Sequence, residues 1–283
     1  MLEYVIIGLI VLFVILNIAK ASTAKLIISG RKQLMQRLEK ANDSRVITLI
    51  HRQKSGGMFS MLVNKFINIE DSLSILDAIR KTPAGKTIDF VVHTPGGLVL
   101  ASAQIARALA RHDGHVRVIV PHYAMSGGTL LALAADEIVM DINSVLGPVD
   151  PQIGGLPAAS LIKLSEQKNW DEIDDQTHVL IDVSRKALSQ MNSYVKEILV
   201  SKGRDENDAA DLADTFVNGQ WTHDHPLTYE FFKDNNFKVS TSVPEDVFRL
   251  MKMIPNIADA IPSVEYIVPL EKRQEPLSTK TYI

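Results

Sequence analysis

His93-Thr-Pro-Gly-Gly97 and, about thirty residues on, Ala124-Met-Ser-Gly-Gly-Thr129 are the two stretches whose residue types and spacing could do chemistry. A serine between small residues at the start of a helix can serve as the nucleophile of an acyl transfer. A glycine pair at the end of an apolar strand leaves backbone N–H groups open to a developing oxyanion. Glycine also lets the backbone approach a ligand with no Cβ in the way. On this reading Ser126 is the nucleophile, and the N–H of Gly127 with that of Gly96 or Gly97 forms the oxyanion hole. The bland alternative for Ser126 is a helix cap, a position that serine favours.

Two strand–helix units must position these residues. Ile88–Val92 reads as a buried strand and the Ala- and Leu-rich stretch Leu98–His112 as a helix. The plan repeats in strand Val116–Val120, loop Pro121–Met125 and helix Gly128–Ala135. Upstream, Val46–Ile50 is a strand followed by the polar loop His51–Gly57, and Asn68 caps a helix over Ile69–Lys81 whose Glu70 and Asp71 suit its positive end. Downstream come strand Glu137–Met140 and the Pro/Gly-punctuated stretch Gly147–Gly155, read as neither helix nor strand. Helices are expected over Ser160–Gln167, Ile181–Ser201 (ended by Lys202-Gly203), 206–216 and Thr228–Asn235, with a last strand near Val239. The polar tail from Gln274 is expected to be disordered.

Composition narrows the function classes. The 283 residues suffice for one large α/β domain with appendages, and the net charge of −3 gives no basic field for nucleic acid. With no cysteine, a thiol nucleophile, disulfide staples and thiolate metal sites are excluded. No Walker-type phosphate loop occurs, so any ATP dependence would come from a partner. Tyr4–Ala19 is a near-continuous apolar run, slightly short of the about 20 residues a spanning helix needs, and is read as a membrane anchor in the lipid bilayer. Lys20, Lys25, Arg31, Lys32 and Arg37 follow it, so the positive-inside rule sets the main domain in the cytoplasm. The expected organisation is a single-pass anchor over 1–20, a basic connector helix over 21–44 lying between bilayer and domain, a catalytic domain over 45–270 and a flexible tail over 271–283.

Asp89–Gly154, with its Pro-Gly-Gly and Ser-Gly-Gly-Thr turns, resembles the ClpP/crotonase superfamily. More narrowly, the chain from about Val46 to Val268 is similar to the membrane-anchored SDH-type serine dehydrogenase proteinases, relatives of ClpP and of signal peptide peptidase A. The resemblance implies an α/β fold with a repeated βαβ core, serine-type hydrolysis of peptide or protein substrates (membrane proteins among them), and assembly into a homo-oligomer. No cofactor or metal is expected. The dehydrogenase part of the family name would need a pyridoxal lysine and a phosphate cradle, and no such motif is found.

The base is the harder question. ClpP-like enzymes carry a histidine about twenty-five residues after the serine, but Gly147-Pro-Val-Asp-Pro-Gln152 stands there, so a Ser-His-Asp triad of the ClpP pattern is not expected and Asp150 is given at most a supporting role. Relatives of signal peptide peptidase A use a lysine instead, which a buried apolar setting could deprotonate. Matching the long helix through its Gly203 end puts Lys186 at that place, so the resemblance implies a Ser126–Lys186 dyad, with Lys163 and Lys168 as runners-up. Ala124, Met125 and Ala187 are expected to crowd the amine. His93 is expected to orient the Pro-Gly-Gly turn or line the substrate cleft, His223 and His225 read as part of a polar cap before Thr228, and His51 has no assignment. Two rival readings remain: a catalytically inactive membrane scaffold, and a crotonase-like acyl-CoA enzyme that uses the oxyanion pair without Ser126.

Overall fold

The computed structural model describes residues 2–51, 66–253 and 262–267. Its centre is a six-stranded sheet in which β1 (Ser44–Ile50), β2 (Thr87–His93), β3 (Val116–Val120), β5 (Glu137–Met140) and β9 (Val239–Ser240) run parallel in that order. The edge strand β10 (Val264–Tyr266) pairs antiparallel with β1.

Side-chain alternation along the strands builds two cores. Ile47, Leu49, Ile88, Phe90, Val92, Val116, Val118, Val120, Ile138 and Met140 face one side, while Val46, Ile50, Val91, Ile119 and Val139 face the other. A parallel sheet covered on both faces must read as nearly continuous apolar strands, as these do. The first face is covered by α2 (Ile69–Arg80), α3 (Val99–Ala110), α4 (Gly127–Leu133), α6 (Asp175–Ser201), α7 (Glu206–Val217) and α8 (Tyr229–Asp234). The opposite face is covered by Leu34, Met35 and Leu38 of α1 (Leu2–Asn42) and by Val247, Leu250 and Met251 of α9 (Glu245–Lys252). Asn68 and Asp71 form a reciprocal capping box at the start of α2, as the sequence predicts for Asn68.

Two expectations need correction. The segment expected as a connector between bilayer and domain is the second half of α1, and from Arg31 onward it is part of the domain's own packing. The buried Arg31 guanidinium donates from Nε to Glu265 Oε2 at 2.8 Å and from Nη1 to Leu250 O at 2.7 Å, tying α1 to β10 and α9. Among the described residues no helix is long and apolar enough to cross a membrane. Within Gly147–Gly155, Gln152–Ile153 (β7) pairs antiparallel with Leu156–Pro157 (β8), a tight hairpin that opens onto α5 (Ala158–Gln167). The loop after His51 and the tail from Gln274 lie outside the described residues.

Candidate active site

The site is assembled where the parallel strands end, as is usual for open α/β sheets. Beyond β2 the chain continues through Thr94, which bridges in parallel to Ala124 of β4 (Tyr123–Ala124). β4 in turn pairs in parallel with β6 (Val145–Leu146), and Leu146 bridges antiparallel to Leu227. Because the first three run the same way, their next residues, Gly96-Gly97, Met125-Ser126 and Gly147–Asp150, emerge at one end of this ribbon. Leu227 runs the opposite way, so the residues before it, His223–Pro226, arrive at that same end. A Cβ built on Gly147 would lie 2.4 Å from the Met125 methyl and 3.7 Å from His223 O, which shows how closely the neighbour of Ser126 and the His223 segment meet.

Ser126 occupies the turn from β4 into α4 with φ 50° and ψ −115°. Positive φ is a costly conformation for a residue with a Cβ, and a serine held so between strand and helix is the geometry of a nucleophile elbow. Its hydroxyl makes no capping hydrogen bond and the residue is half-buried, so the helix-cap alternative finds no support. Ser126→Gly should therefore be more stable than Ser126→Ala by about 1 kcal/mol, read as a melting temperature a few degrees higher. Equal melting temperatures would mean that the turn is not strained.

Of the three glycines expected at the oxyanion hole, two have the N–H to offer. Gly96 N–H already donates to Thr94 Oγ1 at 3.1 Å. Gly96 O accepts from Ile67 N–H at 2.8 Å, and a trans peptide then points the Gly97 N–H away from Ile67. Gly127 is the first residue of α4, where an N–H has no partner within the helix. Neither Gly97 nor Gly127 N–H has an acceptor among the described residues. A Cβ on Gly96 would lie 2.8 Å from Ser126 Cβ, and one on Gly97 only 2.3 Å from Ile67 O. Gly97→Ala should force the turn away from Ile67 and lower turnover about a hundred- to thousand-fold, the usual cost of one oxyanion donor. Unchanged turnover of the alanine variant in a peptide-hydrolysis assay would remove Gly97 from the site.

At the same ribbon end the structure pairs Asp150, given a supporting role in the sequence, with His223, which the sequence reading puts in a polar cap before Thr228. His223 Nδ1 lies 2.6 Å from Asp150 Oδ1, and Gln152 Nε2 donates to Asp150 Oδ2 at 2.6 Å. Asp150 is buried, whereas the His223 side chain is 34% exposed. An ionised carboxylate can only accept, so the imidazole proton sits on Nδ1 and Nε2 is left as a bare acceptor. His225 does not join them: it stacks on Trp221, their rings 5.1 Å apart and 4° from parallel. The one sequence hint was an acid, Asp150, at the position where ClpP-like enzymes carry histidine.

Lys186 is not brought to the site. It lies on α6 with its side chain 68% exposed and ion-paired to Asp182, one helical turn back, so the burial that a neutral amine requires is absent. Lys163 and Lys168 are also exposed, on or just after α5. Exposed ion pairs are weak, so Lys186→Ala should change stability by less than about 0.5 kcal/mol and leave peptide hydrolysis intact. A dead Lys186→Ala enzyme would restore the lysine base. His93 is buried at the end of β2, with its ring 4.2 Å from that of Tyr123 and edge-on to that of His122 at 5.6 Å. Burial among these rings pushes the Tyr123 phenol above its ordinary range. Among the described residues no group of three His, Cys, Asp or Glu is placed to hold a metal ion.

Two uncharacterized proteins of Methanocaldococcus jannaschii are similar to the chain. One is 50% identical over 246 residues, covering 87% of this chain and 85% of that protein. The other is 47% identical over 254 residues, covering 89% and 86%. Among solved structures, a mutant of the membrane-bound stomatin-specific protease 1510-N aligns over 66% of this chain and 79% of its own, at 20% identity and a TM-score of 0.43. ClpP1 of Listeria monocytogenes aligns over 72% and 95%, at 14% identity and a TM-score of 0.43. The sequence profile of the ClpP-like SDH-type serine proteinases matches residues 2–280, and the chain belongs to that family.

Proposed function

We propose that the protein is a serine peptidase whose machinery is Ser126, His223 and Asp150, with the N–H groups of Gly97 and Gly127 as its oxyanion hole. The observation that carries this reading is the His223–Asp150 pair delivered to the ribbon end where Ser126 sits in its strained turn. His223 Nε2 takes the Ser126 proton as Oγ attacks the scissile carbonyl carbon, and Asp150 holds the imidazole and balances its charge. The tetrahedral oxygen gathers its negative charge against the two glycine N–H groups. As the C–N bond breaks, His223 returns the proton to the leaving amine and an acyl ester remains on Ser126. Water then repeats the sequence with His223 again as base, and the ester is released as a carboxylic acid.

A fluorophosphonate probe tests the reading. The intact protein should take up the probe on the tryptic peptide that contains Ser126 and should cleave an unstructured polypeptide at a rate that this labelling abolishes. A scaffold would do neither, and an acyl-CoA enzyme would turn over thioesters after Ser126→Ala. Homo-oligomerisation and action on membrane proteins belong to the same reading on family resemblance. Attachment of Tyr4–Ala19 to a bilayer, with the domain on the cytoplasmic side, rests on the hydropathy and basic flank of the sequence. Protein that leaves the membrane fraction in a high-salt wash would overturn that attachment.

A further inference from the structure

A second histidine–carboxylate pair lies buried behind the oxyanion turn. His51, the residue after β1, is fully buried, with Nε2 3.0 Å from Asp71 Oδ2 and Nδ1 2.8 Å from Thr94 Oγ1. Thr94 is also fully buried, and its Oγ1 accepts the Gly96 N–H at 3.1 Å. Asp71 is the capping-box residue of α2, whose Oδ2 also accepts the Asn68 N–H at 3.1 Å. With a neutral imidazole every role in this chain is filled. His51 donates Nε2–H to the Asp71 carboxylate, its bare Nδ1 accepts the Thr94 hydroxyl proton, and Thr94 Oγ1 is left to accept from Gly96.

An Asp–His–Thr chain invites reading as a second catalytic triad, but a threonine with no exposed surface meets no substrate. What the chain can do is hold one of the two peptide planes that meet at Gly96, Pro95–Gly96, while Ile67 holds the other. The Gly96 N–H is turned inward to Thr94, and the Gly96 carbonyl is turned to Ile67 N–H. Those two bonds leave the Gly97 N–H directed outward. If the first of them is lost, the Gly96 carbonyl bond alone holds the turn, and the plane that carries the Gly97 N–H can tilt about Gly96, whose φ of +106° no Cβ restrains. We infer that His51, Asp71 and Thr94 are positioning residues of the oxyanion hole, acting on the tetrahedral intermediate through the Gly96–Gly97 peptide. This inference rests on the serine-peptidase reading.

The effect should appear in the transition state and not in substrate binding, because the Gly97 N–H meets charge only as the carbonyl oxygen becomes an oxyanion. Thr94→Val keeps the shape and removes the hydroxyl. It should lower kcat by about 10- to 100-fold with KM within about twofold, and weaken a peptide boronate inhibitor in parallel. Thr94→Ser should restore kcat to within about threefold, and Asp71→Asn, which retains a side-chain cap acceptor, should reproduce part of the loss. Turnover should be counted per fluorophosphonate-titrated site, so that misfolded protein is left out of the rate. Thr94→Val with wild-type kcat per titrated site, or with a KM effect alone, overturns the inference, as does Thr94→Ser failing to rescue. Should Thr94→Val not fold, kcat per site of Asp71→Asn decides in its place. Absence of peptide hydrolysis in the unmutated protein would count against the peptidase reading itself.

Discussion

His223→Ala should be as damaging as Ser126→Ala, each lowering kcat for peptide hydrolysis by about 10⁵- to 10⁶-fold, and the double variant should be little worse than either. Residues that act as one unit are not additive, since losing either partner leaves the same residual stabilisation from binding and oxyanion donors. The reason lies in the geometry already given. The serine hydroxyl is unactivated at its own pKa and needs an acceptor. In the proposed mechanism that acceptor is His223, hydrogen-bonded to Asp150 and lying in the segment that the antiparallel bridge at Leu227 returns to the same ribbon end as Ser126. Steady-state rates of the two single variants and the double variant check this. A double variant worse than the singles by the product of their losses would show that serine and histidine do not work together.

Asp150→Asn should cost about 10⁴-fold in kcat while leaving the fold and KM nearly unchanged. The asparagine amide is isosteric, but it can turn an NH₂ toward His223 Nδ1 where the carboxylate only accepted. The imidazole would then carry its proton on Nε2, facing the serine with a donor where a base is needed. Because Asp150 is buried and also accepts from Gln152, the amide has little freedom to avoid this. The acid limb of the rate–pH profile that a histidine base imposes should disappear with the activity. Retention of more than about a tenth of the wild-type kcat would reduce Asp150 to a structural partner of Gln152.

What the sequence disclosed was local. Alternating apolar strands, the capping pair Asn68 and Asp71, and the two glycine turns each depend on residues within a few positions of one another, and the structure returns them with ends shifted by a residue or two. The proposed catalytic pair is a different matter. Asp150 and His223 stand 73 residues apart and meet only because one bridge, Leu146 to Leu227, folds a distant segment back antiparallel. No periodicity announces such a bridge. Lys186 was misplaced for a related reason: the Gly203 terminus tells where α6 stops and says nothing about which of its faces meets the serine. The eight-residue α9 was legible in principle, with Val247, Leu250 and Met251 at helical spacing, but three-residue β10 carries too little pattern to be seen alone.

The tie between Arg31 and Glu265 has a consequence for the order in which the molecule can be built. A guanidinium out of water without its carboxylate is strongly destabilising, and here donor and acceptor are separated by 234 residues. The apolar face made by Val46, Ile50, Val91, Ile119 and Val139 is closed by α1 from one terminus and α9 from the other, with Arg31 hydrogen-bonded to the α9 backbone between them. A ribosome that has made only the first two hundred residues therefore holds a sheet with half its lid, and the long loop closure that completes it waits for the carboxyl-terminal segment. Until that segment is made, the face is available to chaperones or to other unfinished chains, so the closure by α9 and β10 is also the stage of folding most exposed to aggregation.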